Sequence, residues 1–321
     1  MANKSIFGSA AGKILWTDIV NEAGGTAYEL SAEQKLAQLA ATGTMSRTFY
    51  ATAEAQLDEV LAVVNGVSPE FVAKTAVYAR ERGYMKDMPA LLLAWLSSVR
   101  SEHFTKVFHR VVDNGKMLRT FAQIVRSGAT GRKSFGIRPK KMILNWLETA
   151  TDAAILRASV GQDPSLADII KMVHPKPASK AREALFGWLI GKPYDILALP
   201  GIVRDYIAFK ADPAGRDVPD VPFQLLTSLP LTRDHWMSIG EKAGWHMIRM
   251  NLNTFGRHGA FKDDGFTRMI ADKLRNAEAI KHAKVFPYQL MTAFNSIGAE
   301  VPAMIRDALQ DAMKSPSPMC R

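Results

Sequence analysis

Between Arg126 and Lys141 the chain reads RSGATGRKSFGIRPKK, with six cationic side chains, three glycines and no acid. Two kinds of chemistry use residues of these types. The middle, GATGRKS, is like a phosphate-binding loop, whose glycine amides and lysine cradle a nucleotide. That loop requires four residues between its glycines, a lysine directly after the second, and a strand before it. Here two residues separate Gly128 from Gly131, Arg132 precedes Lys133, and the preceding KMLRTFAQIV has helical periodicity. The nucleotide reading fails on spacing and context. The other chemistry is contact with a polyanion. Arg126, Arg132, Lys133, Arg138, Lys140 and Lys141 repel one another, and a phosphate backbone relieves that cost. Pro139 suits the first turn of a helix, which sets Lys140 and Lys141 near its N-terminus. Cations oppose the helix dipole there and anions are welcome, so a phosphate shared by lysines and helix amides removes the conflict. The competing reading is a solvated connector.

Three more stretches stand apart from the amphipathic background. In KMVHPKPASK, His174 closes a helix that Pro175 and Pro177 stop, with Lys171 in its last turn. Favourable dipole partners alone account for these residues. In IRMNLNTFGRHG, Arg249, Asn251, Asn253, Arg257 and His258 alternate with Met250, Leu252 and Phe255. Asparagines weaken a helix, so the polar groups are there for partners: neighbouring helices, or RNA. The fourth, KVFPYQLMTAFNSIG, spaces its aromatics as a helix in the core does.

Other chemistry finds no support. No two of the seven histidines stand four apart and HExxH is missing, so no metal is expected. FHRVVDN around His109 echoes a kinase catalytic loop, but the glycine loop and DFG that accompany one are missing. No nucleophile elbow or carboxylate pair stands out. No catalytic residue, cofactor or small-molecule substrate is therefore expected, and the chain is read as a non-enzyme. The single cysteine, Cys320, excludes a disulfide framework and suits a reducing compartment. No run approaches the roughly 18 apolar residues of a membrane span, and the N-terminus is not a signal peptide. A cytoplasmic protein without membrane contact is the expectation.

The elements that must position these stretches are helices. Of 321 residues, 47% are hydrophobic and 22% charged, enough apolar material for a substantial core. Ser31 with Gln34 forms a capping box ahead of SAEQKLAQLAA, and SPEFVAKTAVYARERG carries Ser68 as cap and Gly83 past its end. PALLLAWLSSV is apolar nearly all round and belongs at the centre of a stack. Helices of roughly 10–15 residues then follow one another through short Gly, Pro, Asn, Asp or Ser turns. The expected architecture is all-α, with antiparallel helix pairs stacked side by side in one domain over residues 1–321. Residues 1–20 are read as an N-terminal arm, 212–222 as an exposed loop and 315–321 as a frayed tail. The net charge of +10 favours a polyanionic partner.

Taken together, these stretches resemble the TROVE domain, the RNA-binding module of the Ro autoantigen family, over most of the chain. EAGGTAYEL is similar to the family's Gly-Gly-Thr-Tyr segment, with Ala27 where tyrosine is usual. Gly131-Arg132 and the Lys140-Lys141 helix with Trp146 resemble its basic segment. SLADIIKMVHPKP resembles its His-x-Lys-Pro helix, IRMNLNTF its Arg-Asn-Leu segment and VFPYQLMTAF its His-Pro-Phe helix. The five occur in the family's order.

The resemblance implies a HEAT-like helical solenoid, closed or nearly closed into a ring. Its basic central hole would take single-stranded 3′ ends of structured or misfolded small RNAs, in RNA quality control. It assigns the six cations of residues 126–141, with Arg249, Asn251, Asn253, Arg257 and His258, to that hole. Arg157, His174 and Lys176 match an outer-surface site for Y-type small RNA, although Gly161 stands where the family can offer a further arginine. Ro proteins usually continue into a von Willebrand A-type domain with a DxSxS metal site, which these 321 residues lack. Closure by the chain's own termini, a separate von Willebrand A-type partner and an open ring are the alternatives. A helical scaffold for protein partners is the rival function.

Overall fold

The computed structural model describes residues 19–21, 24–46, 52–285 and 287–314. The N-terminal arm up to residue 18 and the tail from 315, with Cys320, lie outside the described residues. The chain divides into two compact units, one up to Pro193 and one from Tyr194. Both are helical.

Unit 1 opens with two short antiparallel strands, β1 (Ile19–Val20) and β2 (Thr26–Ala27), which periodicity did not reveal. Two residues each are too short to show alternation. Ten helices follow: α1 (Ala32–Thr42), α2 (Ala53–Val64), α3 (Pro69–Glu81), α4 (Asp87–Ser98), α5 (His103–Val111), α6 (Gly115–Ser127), α7 (Ile137–Thr149), α8 (Asp152–Ser159), α9 (Leu166–Val173) and α10 (Lys180–Ile190). The predicted starts hold in detail. Ser31 and Gln34 complete the capping box, and Ser68 accepts from the Phe71 amide ahead of Pro69.

Packing in unit 1 is that of a solenoid of helical pairs. Alternate helices stack in two layers: α1, α3, α5, α7 and α9 in one, α4, α6 and α8 in the other. Between the layers α4 is buried from Met88 to Ser97, as its uniform apolarity requires. Phe104, Phe108 and Phe121 meet edge-on or stacked at centroid separations of 5.6–6.0 Å. Gly115 lets α6 approach α8 so closely that any side chain there would strike Ala158.

Unit 2 contains α11 (Gly201–Ala211), α12 (Arg233–Lys242), α13 (Trp245–Arg257), α14 (Asp264–Arg275), α15 (Ala277–Ala283), α16 (Pro287–Asn295) and α17 (Ala303–Met313). Single 3-10 turns lie at Phe223–Leu225 and Ala260–Lys262. Residues 232–252 are divided at Gly244 between two helices, α12 and α13. The α14 helix is the hub, packed on α12, α13, α15 and α17. Its Phe266 joins Phe255 and Phe261 in an aromatic cluster. Within the loop predicted at 212–222, Asp212 and residues 214–217 are exposed while Val218 is buried.

One expectation fails here. The α16 stretch was read as core, yet Tyr288 is 63% exposed and Met291 55%. Leu290 alone of these three faces inward, because α16 packs on α17 along one side.

Candidate nucleic-acid interface

The basic segment joins the end of α6 to the start of α7. Gly128, with φ of 81°, ends α6 in the left-handed conformation. Gly136, with φ of 66°, occupies the cap position of α7 and supplies no side-chain cap. A side chain at Gly136 would strike the Arg132 guanidinium, which lies against it. Helix α7 has no acid in its first turn and carries Arg138, Lys140 and Lys141 in its first five residues. Pro139 is the third residue of α7, inside the first turn as predicted.

Two clefts flank this helix start and share Gly136 and Ile137. The first, about 400 Å³, is lined by Arg100, Arg132, Arg138 and the end of α4. The second, about 420 Å³, gathers Arg126, Lys133, Lys140 and Met172 of α9. Between them stands Ile137, 88% exposed, an apolar wedge among cations. Lys141 points outside both clefts' linings and is exposed.

Two of the cations are fixed by backbone carbonyls. Arg138 donates to the Arg100 carbonyl at 2.8 Å and Arg132 to that of Ser97 at 3.4 Å. Among the described residues none of the six takes part in an ion pair. Asp168 feels Arg126 only at a distance. Its carboxyl is held below the usual carboxylate range first by the Ser165 hydroxyl, then by the Ser165 amide, with Lys171 and Arg126 adding less.

Arg157, His174 and Lys176 are all exposed in unit 1. Arg157 is in the last turn of α8, and His174 caps α9 with φ of 50°. Gly161 lies in the loop between these helices, with the Arg119 guanidinium of α6 placed against it where a side chain would emerge. Among the described residues Arg119 has no ion-pair partner, its Nε is buried without a hydrogen bond, and burial pushes its pKa down. Sequence reading missed this residue, although Arg119 and Arg126, seven apart, share one face of α6. It also missed Arg100, which lies in no cationic run and whose carbonyl accepts from Arg138, and Ile137, the exposed apolar residue within the run itself.

In unit 2 most of the singled-out polar groups have partners in the protein. Asn251 donates to the Met247 carbonyl at 2.8 Å. Asn253 donates to the Ser296 carbonyl at 2.8 Å and accepts from the Gly298 amide at 2.9 Å. His258 stacks on Trp236 with centroids 4.8 Å apart, and Arg257 donates to Thr254 at 3.3 Å. Arg249 donates to the Gln289 carbonyl at 3.1 Å, leaving Nε buried without a partner. Among the described residues no cluster suited to a metal ion occurs, and no helix is long and apolar enough to cross a membrane.

No protein-family model matches the chain, and no curated protein matches it. A solved structure does. The Ro (RSR) protein of Deinococcus radiodurans superposes with a TM-score of 0.60 over 88% of this chain, at 18% identity. The chain has the Ro fold. It spans 63% of the length of that Ro protein. The Ro fold explains why helices stack in pairs through unit 1, and it agrees with the TROVE resemblance read from five short segments.

Proposed function

We propose that this Ro-fold chain is an RNA-binding protein that takes single-stranded 3′ ends of structured or misfolded small RNAs, acting as a chaperone in RNA quality control. One observation carries the reading: two clefts meet at an uncapped helix start, lined by cations that form no ion pair among the described residues. Phosphates crossing this lip find lysine and arginine donors together with the first amides of α7. Ile137, exposed between the clefts, offers an apolar contact to an unstacked base. Arg126, Arg132, Lys133, Arg138, Lys140 and Lys141 supply the charge, with Arg100 added by the fold.

In unit 2, Arg249, Arg257 and His258 are assigned further RNA contacts, while Asn251 and Asn253 hold the frame that presents them. Arg157, His174 and Lys176 are assigned to a separate surface for a Y-type or other structured small RNA. A von Willebrand A-type chain is a candidate partner.

The test is a duplex with a 3′ single-stranded tail against a blunt duplex across a salt series. Tighter binding of the tailed RNA is expected, with log affinity falling by about 0.7 per phosphate contact for each tenfold rise in salt. Absence of affinity for either RNA at low salt ends the proposal, and equal affinity for both reduces it to nonspecific charge. A helical scaffold for proteins is the second reading. It is favoured by an apolar groove of about 280 Å³ between α1 and α3, lined by Ala37, Ala40, Phe71 and Tyr78.

A further inference from the structure

Arg132 and Lys133 are consecutive, yet the fold sends them to different clefts. The Arg132 guanidinium lies against Gly136 in the cleft with Arg100 and Arg138, whereas the Lys133 stem lies against Gly128 in the cleft with Arg126 and Lys140. In the first cleft Arg132 and Arg138 are each fixed by a carbonyl and keep further N–H donors, a preorganised arrangement for phosphate. The second cleft has an apolar wall. Phe135 is buried, Met172 of α9 is half-buried and Ile137 is exposed, and all three line one space of about 420 Å³. A phosphate pressed on that wall loses water and gains no donor from it, while the face of a base gains contact with the ring, the thioether and the branched chain.

The polar side chains around the wall are of one kind. Arg126, Lys133 and Lys140 only donate, and among the described lining side chains the Ser134 hydroxyl alone can accept. Asp168, the acid whose charge acts on Arg126, lies outside the lining and accepts from the Ser165 amide and hydroxyl at 3.0 and 2.7 Å. A wall of donors discriminates between bases. At the edge away from the sugar, uracil and guanine carry a carbonyl where cytosine and adenine carry an amino group. The carbonyl meets a donor there; the amino group meets another donor and is left unpaired. We propose that this cleft takes one unpaired RNA base and selects keto bases over amino bases, with the half-buried Lys140 donating to the carbonyl and the adjoining phosphate held between Arg132 and Arg138. The proposal rests on the RNA-binding reading and adds to it a base preference.

The experiment compares oligouridylate with oligocytidylate, each of about ten nucleotides, at neutral pH. The two strands share ring size and phosphate count, so charge and contact area cancel in the ratio of their affinities, read by fluorescence anisotropy. The parent chain is expected to bind oligouridylate about tenfold more tightly. Lys140→Gln removes the charge and adds an acceptor, so it should weaken both strands and bring the ratio close to one. Ile137→Ala, at an exposed position, should weaken both strands and leave the ratio as it is in the parent. A melting temperature no lower than the parent's checks the fold of both variants. Equal affinity of the parent for the two strands, a preference for oligocytidylate, or an unchanged ratio in Lys140→Gln overturns the base pocket while the RNA-binding reading stands. If the parent binds neither strand, both fall.

Discussion

Two polar stretches, one in each unit, differ in where their hydrogen bonds go. Residues 126–141 leave a helix, turn at three glycines and enter another helix at an uncapped end, and among the described residues their six cations form no ion pair. Residues 248–259 stay helical as far as Arg257, and Asn251 and Asn253 direct their amides to backbone groups of the same unit. Both stretches read alike as polar residues among apolar ones. The difference is surroundings: a connector faces water, whereas a helix interior faces neighbours that demand satisfaction. Charge left unsatisfied by folding is available for a ligand. Polarity used by folding is not.

Exchanging the effects of mutation on binding and stability would break this contrast. The largest effect should come from replacing both Lys140 and Lys141 by glutamate. Tailed-RNA affinity should fall about a hundredfold at low salt, seen by fluorescence anisotropy, with the melting temperature raised and not lowered, since the exchange relieves repulsion at the helix start. Asn253→Ala should do the reverse. It removes two hydrogen bonds and leaves the Gly298 amide unpaired, costing about 2 kcal/mol in chemical denaturation while tailed-RNA affinity stays within about threefold.

Ser165→Ala sharpens the comparison within unit 1, since it removes the cap of the helix that presents His174, at a cost of about 1 kcal/mol. The same box fixes a pH dependence. Asp168 is held below its unfolded value, so its share of stability is present above the ordinary carboxylate range and lost as pH falls through the depressed value. Being almost fully exposed, it should contribute only a small acid-side slope in the parent, and none in Asp168→Asn. The smallest effect is His174→Ser: about threefold on a structured small RNA and nothing on the tailed duplex. A matching loss on both RNAs would merge the two surfaces into one.

The helices were legible because their signals are local. Caps at Ser31 and Ser68, the uniform apolarity of α4 and the terminating prolines after His174 act within a few residues. The β1–β2 pair, α8 and α15 were not foreseen, being too short to carry a period, and α11 was missed between two proline-rich stretches. Within the candidate site, the cationic run and the helix start were readable, since both lie in one segment. Arg100 and Arg119 were not, because each meets the site through a neighbour distant in sequence, Arg138 and Gly161, and the exposure of Ile137 is a fact of the folded connector that its type does not announce. Tyr288 was misread for a related reason: helical spacing states that a residue shares a face with others, and only the neighbours decide whether that face is covered.

The Arg132–Gly136 contact has a thermal consequence. With Arg132 seated on that glycine and Arg138 tied to the end of α4, the folded chain keeps like charges close that an unfolded chain would let drift apart. Their repulsion is therefore a burden of the native state alone, and whatever screens it raises the melting point. Warming resistance and cargo are coupled: the loaded chain should outlast the empty one in heat, and moderate salt should partly imitate the cargo.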